Sequence, residues 1–332
     1  MKPKSLVLLS TLFALGVGAL VGCGGGGGKS SITIWVGNES TEFYREYANK
    51  WVEAQAGNLP YNIEVIGTDV GANGGAMLSD NTACGDIVTI AHDNIGKLSQ
   101  QSYILPIMEQ GLLDQIKADN PEAFLNVIQN YFGSDKTNKY YFMAPCISQA
   151  LLLYYDTRAV TAEQSESIEG LMEAAKAKNC KALTCLGTDG FNFSFSLLAR
   201  KVDGNTSDTV IYQDLDYKKA YAQSNEQVAI VRTMQELFAD PNGIKFPSDS
   251  GWAVDLQGGD VLSLVGGAWN YKAVKKALTD DNGDVHMGCT LIPTFGLSAT
   301  ACEGINATTN LFTGKADPAP VAGTRYRGGT FA

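Results

Sequence analysis

Apolar and polar residues follow two different periods along the chain, and the two periods succeed one another. Ile32, Ile34 and Val36 alternate with unlike neighbours, which predicts a strand with two different faces. From Thr41 onward, apolar residues recur every three or four positions, which predicts a helix that covers one face of a sheet. This apolar stripe consists of Phe43, Tyr44, Tyr47, Ala48, Trp51 and Val52.

The same succession of strand and helix continues through the rest of the chain. Further strands are predicted at 62–66, 86–91, 150–155, 182–186, 261–265 and 289–292, and further helices at 171–178, 228–238 and 269–278. The apolar run at 86–91 predicts a central strand buried on both faces. We expect the least ordered stretch at 314–323. The alternation predicts the α/β fold class, and a second set of elements after Ala144–Pro145 indicates two lobes.

The N-terminus is organised as an export signal. Lys2 and Lys4 give it a positive start, and an uncharged apolar run at 6–20 is too short for a comfortable membrane span. The run ends before Cys23 in a sequence that resembles the bacterial lipobox, where the signal is cut before an acylated cysteine. We therefore expect a signal peptide at 1–22, a glycine-rich tether at 23–30, and a lipid that holds Cys23 at the extracytoplasmic face of the cell membrane. The alternative is an ordinary secretory signal that contains a cysteine.

Length and charge exclude several classes of function. About 310 residues remain after the signal, enough for two domains. The chain carries 25 basic and 35 acidic residues, a net charge of -10, and this acidic excess argues against binding to nucleic acid. The segment 28–30 copies the end of a phosphate-binding loop, but the glycine that the pattern needs at position 23 is Cys23. We therefore expect no nucleotide and no other cofactor.

The cysteines leave two alternatives open. Six follow the lipobox: Cys84, Cys146, Cys180, Cys185, Cys289 and Cys302. In an exported protein they could form disulfides, in any of fifteen connectivities. Cys180 and Cys185 form the only close pair, and two histidines are too few to complete a zinc site. We favour small buried thiols over a structural bridge, and we expect no metal.

Five stretches resemble, in order and at similar spacing, the extracellular solute-binding proteins of ABC importers, specifically the maltose-binding-like sugar group. These stretches are 32–35, 85–93, 140–151, 266–269 and 291–295. The resemblance implies a two-lobed fold of the periplasmic-binding-protein type II class, with a ligand cleft between the lobes. It implies that 31–145 and 290–332 form lobe 1 and that 146–289 form lobe 2. Relatives continue through further helices, so we expect lobe 1 to be incomplete and the C-terminal part to be missing.

The resemblance also implies a function. A sugar or oligosaccharide would be bound as the lobes close and then delivered to the permease subunits in the membrane, and we expect a monomer with no enzymatic activity. A lipid-anchored glycoside hydrolase is the rival class, and a carbohydrate receptor without transport is another. The only histidines, His92 and His286, and the lack of a Gly-x-Ser-x-Gly motif argue against an enzyme.

Five candidate ligand residues come from matching positions in the family. Glu39 and Asp93 match acidic residues that bond sugar hydroxyls, and Gln149 stands where the maltose binder has a glutamate. Asp189 and Phe191 match an acid and an aromatic of the second lobe. On pattern alone, Glu39 is solvated surface, Asp93 could instead cap the helix that begins near Asn94, and Gln149 could contact backbone.

Two aromatic candidates lie further along the chain. Trp269 matches a stacking tryptophan, and Gly266–Gly267 before it would let backbone approach a ligand. Tyr271 could add a second aromatic surface. Core packing is the alternative for both side chains.

Three departures from the family pattern concern the choice of sugar. Ser40, Ile90 and Asn94 stand where the maltose binder has a lysine, a tryptophan and an arginine. These departures argue against maltodextrin itself as the ligand.

Overall fold

The computed structural model shows two compact units, here called unit 1 (residues 1–146) and unit 2 (residues 147–332). Strands and helices alternate in both units, which confirms the α/β class. The structure describes residues 30–122, 125, 129–130, 139–140, 150–185, 192–196, 198–202, 212–213, 216–220, 224–246, 251–311 and 314–329.

The elements with described bounds in unit 1 are strands, α-helices and short 3-10 turns. The strands are β1 (Ser30–Gly37), β2 (Tyr61–Thr68), β3 (Ile87–Val88), β4 (Gln129–Asn130) and β5 (Lys139–Tyr140). The helices are α1 (Thr41–Ala54), α2 (Val70–Ser79), α3 (Ile95–Gln100) and α4 (Gln110–Asp119), and the 3-10 turns are Asn38–Ser40, Asn81–Ala83 and His92–Asn94.

The main sheet of unit 1 is parallel, with strand order β2-β1-β3. β1 pairs with β2 along its whole length, from Ser30 opposite Tyr61 to Gly37 opposite Thr68. α1 packs on this sheet through the predicted stripe, and Ala48 of that stripe is buried in one cluster with residues of β1 and β2. The first strand, the first helix and the second strand are therefore confirmed.

The strand expected at 86–91 differs from the prediction. Only Ile87 and Val88 form β3, both are half-buried, and they pair with Ile34 and Trp35 of β1. Within the described residues, β3 has no neighbour on its other side and so lies at the edge of the sheet. The expectation of a central, fully buried strand is wrong, because β1 occupies the centre.

Unit 2 contains twelve strands and five α-helices among its described residues. The strands are β6 (Leu151–Asp156), β7 (Leu183–Cys185), β8 (Arg200–Lys201), β9 (Tyr212–Gln213), β10 (Asp216–Ala220), β11 (Ile244–Lys245), β12 (Ser263–Gly267), β13 (Met287–Thr290), β14 (Thr294–Gly296), β15 (Thr308–Thr309), β16 (Ala316–Asp317) and β17 (Arg325–Arg327). The helices are α5 (Ile168–Lys178), α6 (Asn225–Ala239), α7 (Trp252–Gly258), α8 (Tyr271–Ala277) and α9 (Ala299–Cys302). Further 3-10 turns are Gln164–Glu166, Asn192–Phe195 and Ala268–Asn270.

The main sheet of unit 2 is mixed, with strand order β11-β7-β12-β6-β13. β7 is parallel to both of its neighbours, whereas β6 is antiparallel to both of its own. Apolar residues of the central strands and of α5 and α6 are buried in one large cluster, which includes Leu153, Leu171, Leu183, Ile230 and Val265. The predicted strands and long helices of this part are confirmed.

The segment after β13 packs differently from the expectation that 290–332 belong to lobe 1. β14, β17 and β8 form one antiparallel sheet within unit 2. Phe295 and Tyr326 stack with ring centroids 5.8 Å apart and join the same large apolar cluster as Leu171. The structure therefore corrects the boundary, because these buried rings tie the segment to unit 2.

The stretch 314–323 is also more ordered than expected. Ala316–Asp317 form β16, which pairs with β15. The buried carboxylate of Asp317 accepts hydrogen bonds from the backbone N–H of Asn225, at 3.0 and 3.2 Å, in the first turn of α6. This acid satisfies a free donor at a helix N-terminus, and so holds the hairpin on the helix.

Candidate functional site

Two predicted acidic residues lie at one edge of the unit 1 sheet. Glu39 lies in the 3-10 turn that follows β1, and Asp93 lies in the 3-10 turn that follows β3. β1 and β3 are parallel neighbours, so their carboxyl ends share an edge, which is where open α/β sheets bind ligands. Both side chains are exposed.

The turn that carries Glu39 is held by hydroxyl groups and by a glycine. Ser40 Oγ and Thr41 Oγ1 each donate to the carbonyl of Gly37 at 3.1 Å. A Cβ at Gly37 would lie 2.3 Å from Glu39 Oε1, so the carboxylate lies against the backbone at the end of β1. A side chain at position 37 would therefore displace the Glu39 carboxylate from this position.

Asp93 is held by its neighbour. Asn94 Nδ2 donates to Asp93 Oδ1 at 3.0 Å, and Asn94 is itself the N-cap residue of α3. A Cβ at Gly74 would lie 2.4 Å from Asn94 Cγ, so α2 packs closely against this amide. Asp93 is thus not the N-cap residue of the helix, and its carboxylate faces solvent at the edge of the sheet.

A buried amide joins the three strands behind this edge. Asn73 Nδ2 donates to Thr68 Oγ1 and to the carbonyl of Thr89, both at 2.8 Å. Thr68 Oγ1 in turn donates to the carbonyl of Val36 at 3.2 Å, and Thr89 N–H donates to the backbone carbonyl of Trp35 at 2.9 Å. Asn73 is not among the residues predicted from the sequence, although a lone amide in the small-residue sequence of α2 is a signal for a buried polar contact.

Trp269 is half-buried against the large apolar cluster of unit 2. Its ring lies over Gly267, since a Cβ there would meet ring atoms at 2.2 Å. The expectation that this glycine admits a ligand is therefore corrected: it admits the indole of Trp269. Asn270 Oδ1 accepts from Gly267 N–H at 2.9 Å, and Tyr154 Oη donates to the Gly267 carbonyl at 3.1 Å.

Tyr271 begins α8 and is 47% exposed, so it is not a core tyrosine. Burial raises the pKa of the nearby Tyr154 phenol to about 12, with the charges of Cys289 and Tyr271 adding to the effect. Tyr154 is thus a protonated hydrogen-bond donor at neutral pH, which secures the turn that carries Trp269. The structure brings the two predicted aromatics, Trp269 and Tyr271, together on this one turn.

Several predicted residues lie outside the described residues: Cys23, Cys146, Gln149, Asp189 and Phe191. The residue after Gln149 is described. The carbonyl of Ala150 accepts from Ala268 N–H at 3.3 Å, next to the turn that carries Trp269.

The two histidines have different surroundings. His92 is exposed in the same turn as Asp93. His286 Nε2 lies 3.0 Å from Asp280 Oδ2, and this hydrogen bond, with those from the backbone of Asp284 and Asn282, lowers the pKa of Asp280. His286 therefore has a structural partner.

Cys84, Cys180, Cys185, Cys289 and Cys302 are all free thiols, in line with the favoured alternative. Their burial differs from the expectation. Cys185 is buried and desolvation raises its pKa to about 12, whereas Cys289 is exposed.

Within the described ranges, no group of three or more acidic, histidine or cysteine side chains could hold a metal ion. In the same part of the chain, none of the helices is long and apolar enough to span a bilayer.

A separate cavity of about 430 Å³ lies in unit 2, between α5, α6 and β14. Its lining includes Met172, Leu237, Phe295 and Arg325 but none of the predicted ligand residues. Arg325 is paired with Glu169 at 3.2 Å on its rim.

Several solved structures share this fold. One, described as solved with acarbose, has a TM-score of 0.60 at 16% identity, covering 91% of this chain and 70% of that chain. The maltodextrin-binding protein MalE1 from L. casei BL23, without ligand, has a TM-score of 0.54 at 16% identity, with coverages of 91% and 70%. The maltose/maltodextrin-binding domain MalE from Bdellovibrio bacteriovorus, bound to maltotriose, has a TM-score of 0.54 at 15% identity, with coverages of 90% and 71%.

Sequence comparison identifies the family. No curated protein sequence matches the chain. Residues 40–316 match the family described as bacterial extracellular solute-binding protein. This range includes Asp93, Trp269 and Tyr271, and it begins one residue after Glu39. The chain belongs to the bacterial extracellular solute-binding proteins, and solved maltodextrin-binding proteins share its α/β fold.

Proposed function

We propose that this chain is the substrate-binding lipoprotein of an ABC importer, which captures a sugar or oligosaccharide and delivers it to a membrane permease. One observation carries the proposal most directly. Glu39 and Asp93 follow neighbouring parallel strands, and both residues are exposed at the same carboxyl edge of the unit 1 sheet. Carboxylates at such an edge accept hydrogen bonds from the hydroxyls of a neutral sugar.

The aromatic turn of unit 2 supports the same ligand chemistry. Trp269 is half-buried and Tyr271 is exposed, so flat apolar surface is available beside polar groups. A sugar has an apolar face of C–H bonds, which packs on aromatic rings, and each such contact contributes about 0.5 to 1.5 kcal/mol. Several of these contacts with hydrogen bonds of about 1 kcal/mol each reach micromolar affinity, which still allows release to a permease.

Calorimetric titration tests the proposal. We expect at least one saccharide from a panel of glucose, maltotriose, maltotetraose, acarbose, cellotriose and raffinose to bind with a micromolar Kd. Glu39→Gln and Asp93→Asn should each weaken that binding by about tenfold, the effect of losing about 1.4 kcal/mol. The matched control is Glu303→Gln, an exposed acid of unit 2. The sugar site at this edge would be contradicted if no saccharide of the panel bound. It would also be contradicted if Glu303→Gln weakened binding as much as Glu39→Gln and Asp93→Asn did.

The absence of enzymatic activity is part of the proposal. The family and the structural neighbours named above are binding proteins. We expect maltotriose and the other saccharides of the panel to be recovered unchanged after long incubation with the protein. Appearance of shorter saccharides, and its loss in Glu39→Gln, would instead support the glycoside hydrolase.

The lipid anchor is a further part of the proposal, supported by the lipobox-like sequence that ends at Cys23. Cys23→Ala removes the thiol that would be acylated, so we expect the unprocessed precursor to accumulate without incorporation of radioactive palmitate. Cys289→Ala, which removes an exposed thiol of the body, is the control and should be processed normally. Normal cleavage and labelling of Cys23→Ala would refute the anchor.

A further inference from the structure

Phe43 of α1 does not pack on the sheet like the rest of its apolar stripe. Ala48 and Trp51 are buried, but Phe43 is 58% exposed. Its ring is nevertheless held in place by two neighbours. It meets Tyr44 edge to face with centroids 5.3 Å apart, and stacks on Tyr47 at 6.2 Å with an interplanar angle of 26°.

Phe43 follows Glu39 by one helical turn along the chain. The two residues are four positions apart, and the chain between them is helical, first as the 3-10 turn Asn38–Ser40 and then as α1. Side chains four positions apart on a helical segment lie on the same side, one turn from each other. α1 begins at the carboxyl edge of the sheet, so Phe43 in its first turn and Glu39 in the preceding 3-10 turn both belong to this edge.

The other flank of α1 is used for structure. Arg45 Nη2 donates to the carbonyl of Val65 in β2 at 3.2 Å, so this side of the helix is hydrogen-bonded to the sheet. Phe43 and Arg45 are two residues apart, which is about 200° around the helix axis, so their side chains lie on nearly opposite sides of the helix. The Phe43 ring is thus oriented by its two tyrosine neighbours and remains mostly open to solvent.

We propose that Phe43 is the aromatic platform of unit 1, on which the apolar face of an uncharged pyranose stacks while Glu39 accepts hydrogen bonds from its hydroxyls. This inference rests on the proposed function and adds a specificity-determining residue to it. The carboxylates of Glu39 and Asp93 at the same edge repel an anionic sugar, so acidic saccharides are disfavoured as ligands.

Titration of the full chain with the saccharide panel named above tests the platform. Phe43→Ala should weaken the Kd about tenfold, and Phe43→Leu, which keeps apolar contact with Tyr44 and Tyr47 but has no flat face, should weaken it similarly. Phe43→Trp should keep the affinity. Because Phe43 is mostly exposed, the thermal midpoint without ligand should stay near that of the parent. The matched control is Phe246→Ala, a 72% exposed phenylalanine of unit 2, which should leave the Kd unchanged.

The outcomes separate the platform from the proposed function. If the parent binds a saccharide and both Phe43→Ala and Phe43→Leu bind it equally well, the platform is wrong and the proposed function stands. If the parent binds none of the probes, the proposed function fails and the platform fails with it. If Phe43→Ala keeps its Kd but loses sugar uptake in cells, the exposed ring serves the permease and the stacking role is overturned.

Discussion

The two units organise their candidate binding groups in opposite ways. In unit 1, exposed acids lie on short turns, and the strands behind them are joined by the buried amide of Asn73. In unit 2, the candidate aromatic Trp269 is itself part of the large apolar cluster. Unit 1 therefore separates the groups that contact solvent from the groups that stabilise the sheet, whereas unit 2 combines both roles in one side chain. Substitutions in the two units should separate stability from affinity to different degrees.

The largest expected effect is on the core of unit 2. Leu171 of α5 is fully buried in the large apolar cluster, and Leu171→Ala should lower the free energy of unfolding by about 2 to 5 kcal/mol, because it leaves a cavity. Leu311→Ala removes the same atoms from a side chain that is 93% exposed and should change stability by about 0.5 kcal/mol or less. Urea denaturation measures both. Similar losses in the two variants would show that this cluster is not the stabilising core.

The next effect tests whether unit 2 combines two roles in Trp269. Truncating a fully buried tryptophan to alanine lowers the free energy of unfolding by about 3 to 5 kcal/mol. Trp269 is half-buried, so Trp269→Ala should lower the free energy of unfolding by about 2 to 3 kcal/mol. The same substitution should weaken sugar affinity by about tenfold. Trp252 is also half-buried and packs on a second apolar cluster of unit 2. Trp252→Ala should therefore cost stability alone.

The thermal midpoint without ligand and the Kd for a bound saccharide, measured on both tryptophan variants, give the result. A loss of stability in Trp269→Ala with unchanged affinity would return this side chain to the core. A loss of affinity with no loss of stability would show that Trp269 contacts the sugar without stabilising unit 2. In that case, unit 2 would separate binding from stability just as unit 1 does.

A smaller effect concerns the amide behind the acidic edge of unit 1. Asn73→Ala removes two hydrogen bonds and leaves the Thr89 carbonyl without its partner from α2, so we expect a loss of about 1 to 2 kcal/mol. Asn120→Ala removes the single bond from its amide to the carbonyl of Ile116 at the end of α4, and should cost about 0.5 to 1 kcal/mol.

Hydrogen exchange of the β1 and β3 amides distinguishes the two asparagine variants. Faster exchange near Trp35 and Thr89 should accompany Asn73→Ala and be absent from Asn120→Ala. Unchanged exchange at Thr89, whose N–H donates to the Trp35 carbonyl, would show that Asn73 does not join the strands.

The smallest effect is a pH dependence in unit 2. Hydrogen bonds from His286 and from the backbone of Asp284 lower the pKa of Asp280 below its ordinary value near 4. A carboxylate with a lowered pKa stabilises the folded state above the unfolded pKa, and this stabilisation is lost as the pH falls through the folded pKa. Asp280→Asn should therefore lower the thermal midpoint slightly at pH 5 to 7, and the difference from the parent should close below pH 4.

Asp281→Asn is the control for this pH profile, since it removes a neighbouring exposed carboxylate that forms none of the hydrogen bonds of Asp280. It should follow the parent at every pH. A difference between Asp280→Asn and the parent that does not narrow at all as the pH falls below 4 would assign the effect to lost packing.

Local periodicity was sufficient to predict most individual elements. The alternation of Ile32, Ile34 and Val36 and the stripe of α1 depend on neighbouring residues only, so β1 and α1 were predictable. Glu39 was likewise predictable as a residue just after a strand. Phe43 was assigned to the stripe by its spacing, but its exposure depends on how far the sheet extends beneath the first turn of the helix.

The sequence by itself determined the α/β class, the acidic excess, and the placement of Glu39 and Asp93 after strands, because each is a property of composition or of a short stretch. Only the tertiary structure decided that β3 lies at an edge, since strand order depends on pairing between distant segments. It also decided that Tyr326 packs in unit 2 and that Gly267 accommodates the ring of Trp269. Such contacts depend on shape complementarity between side chains, which no local pattern of apolar residues encodes.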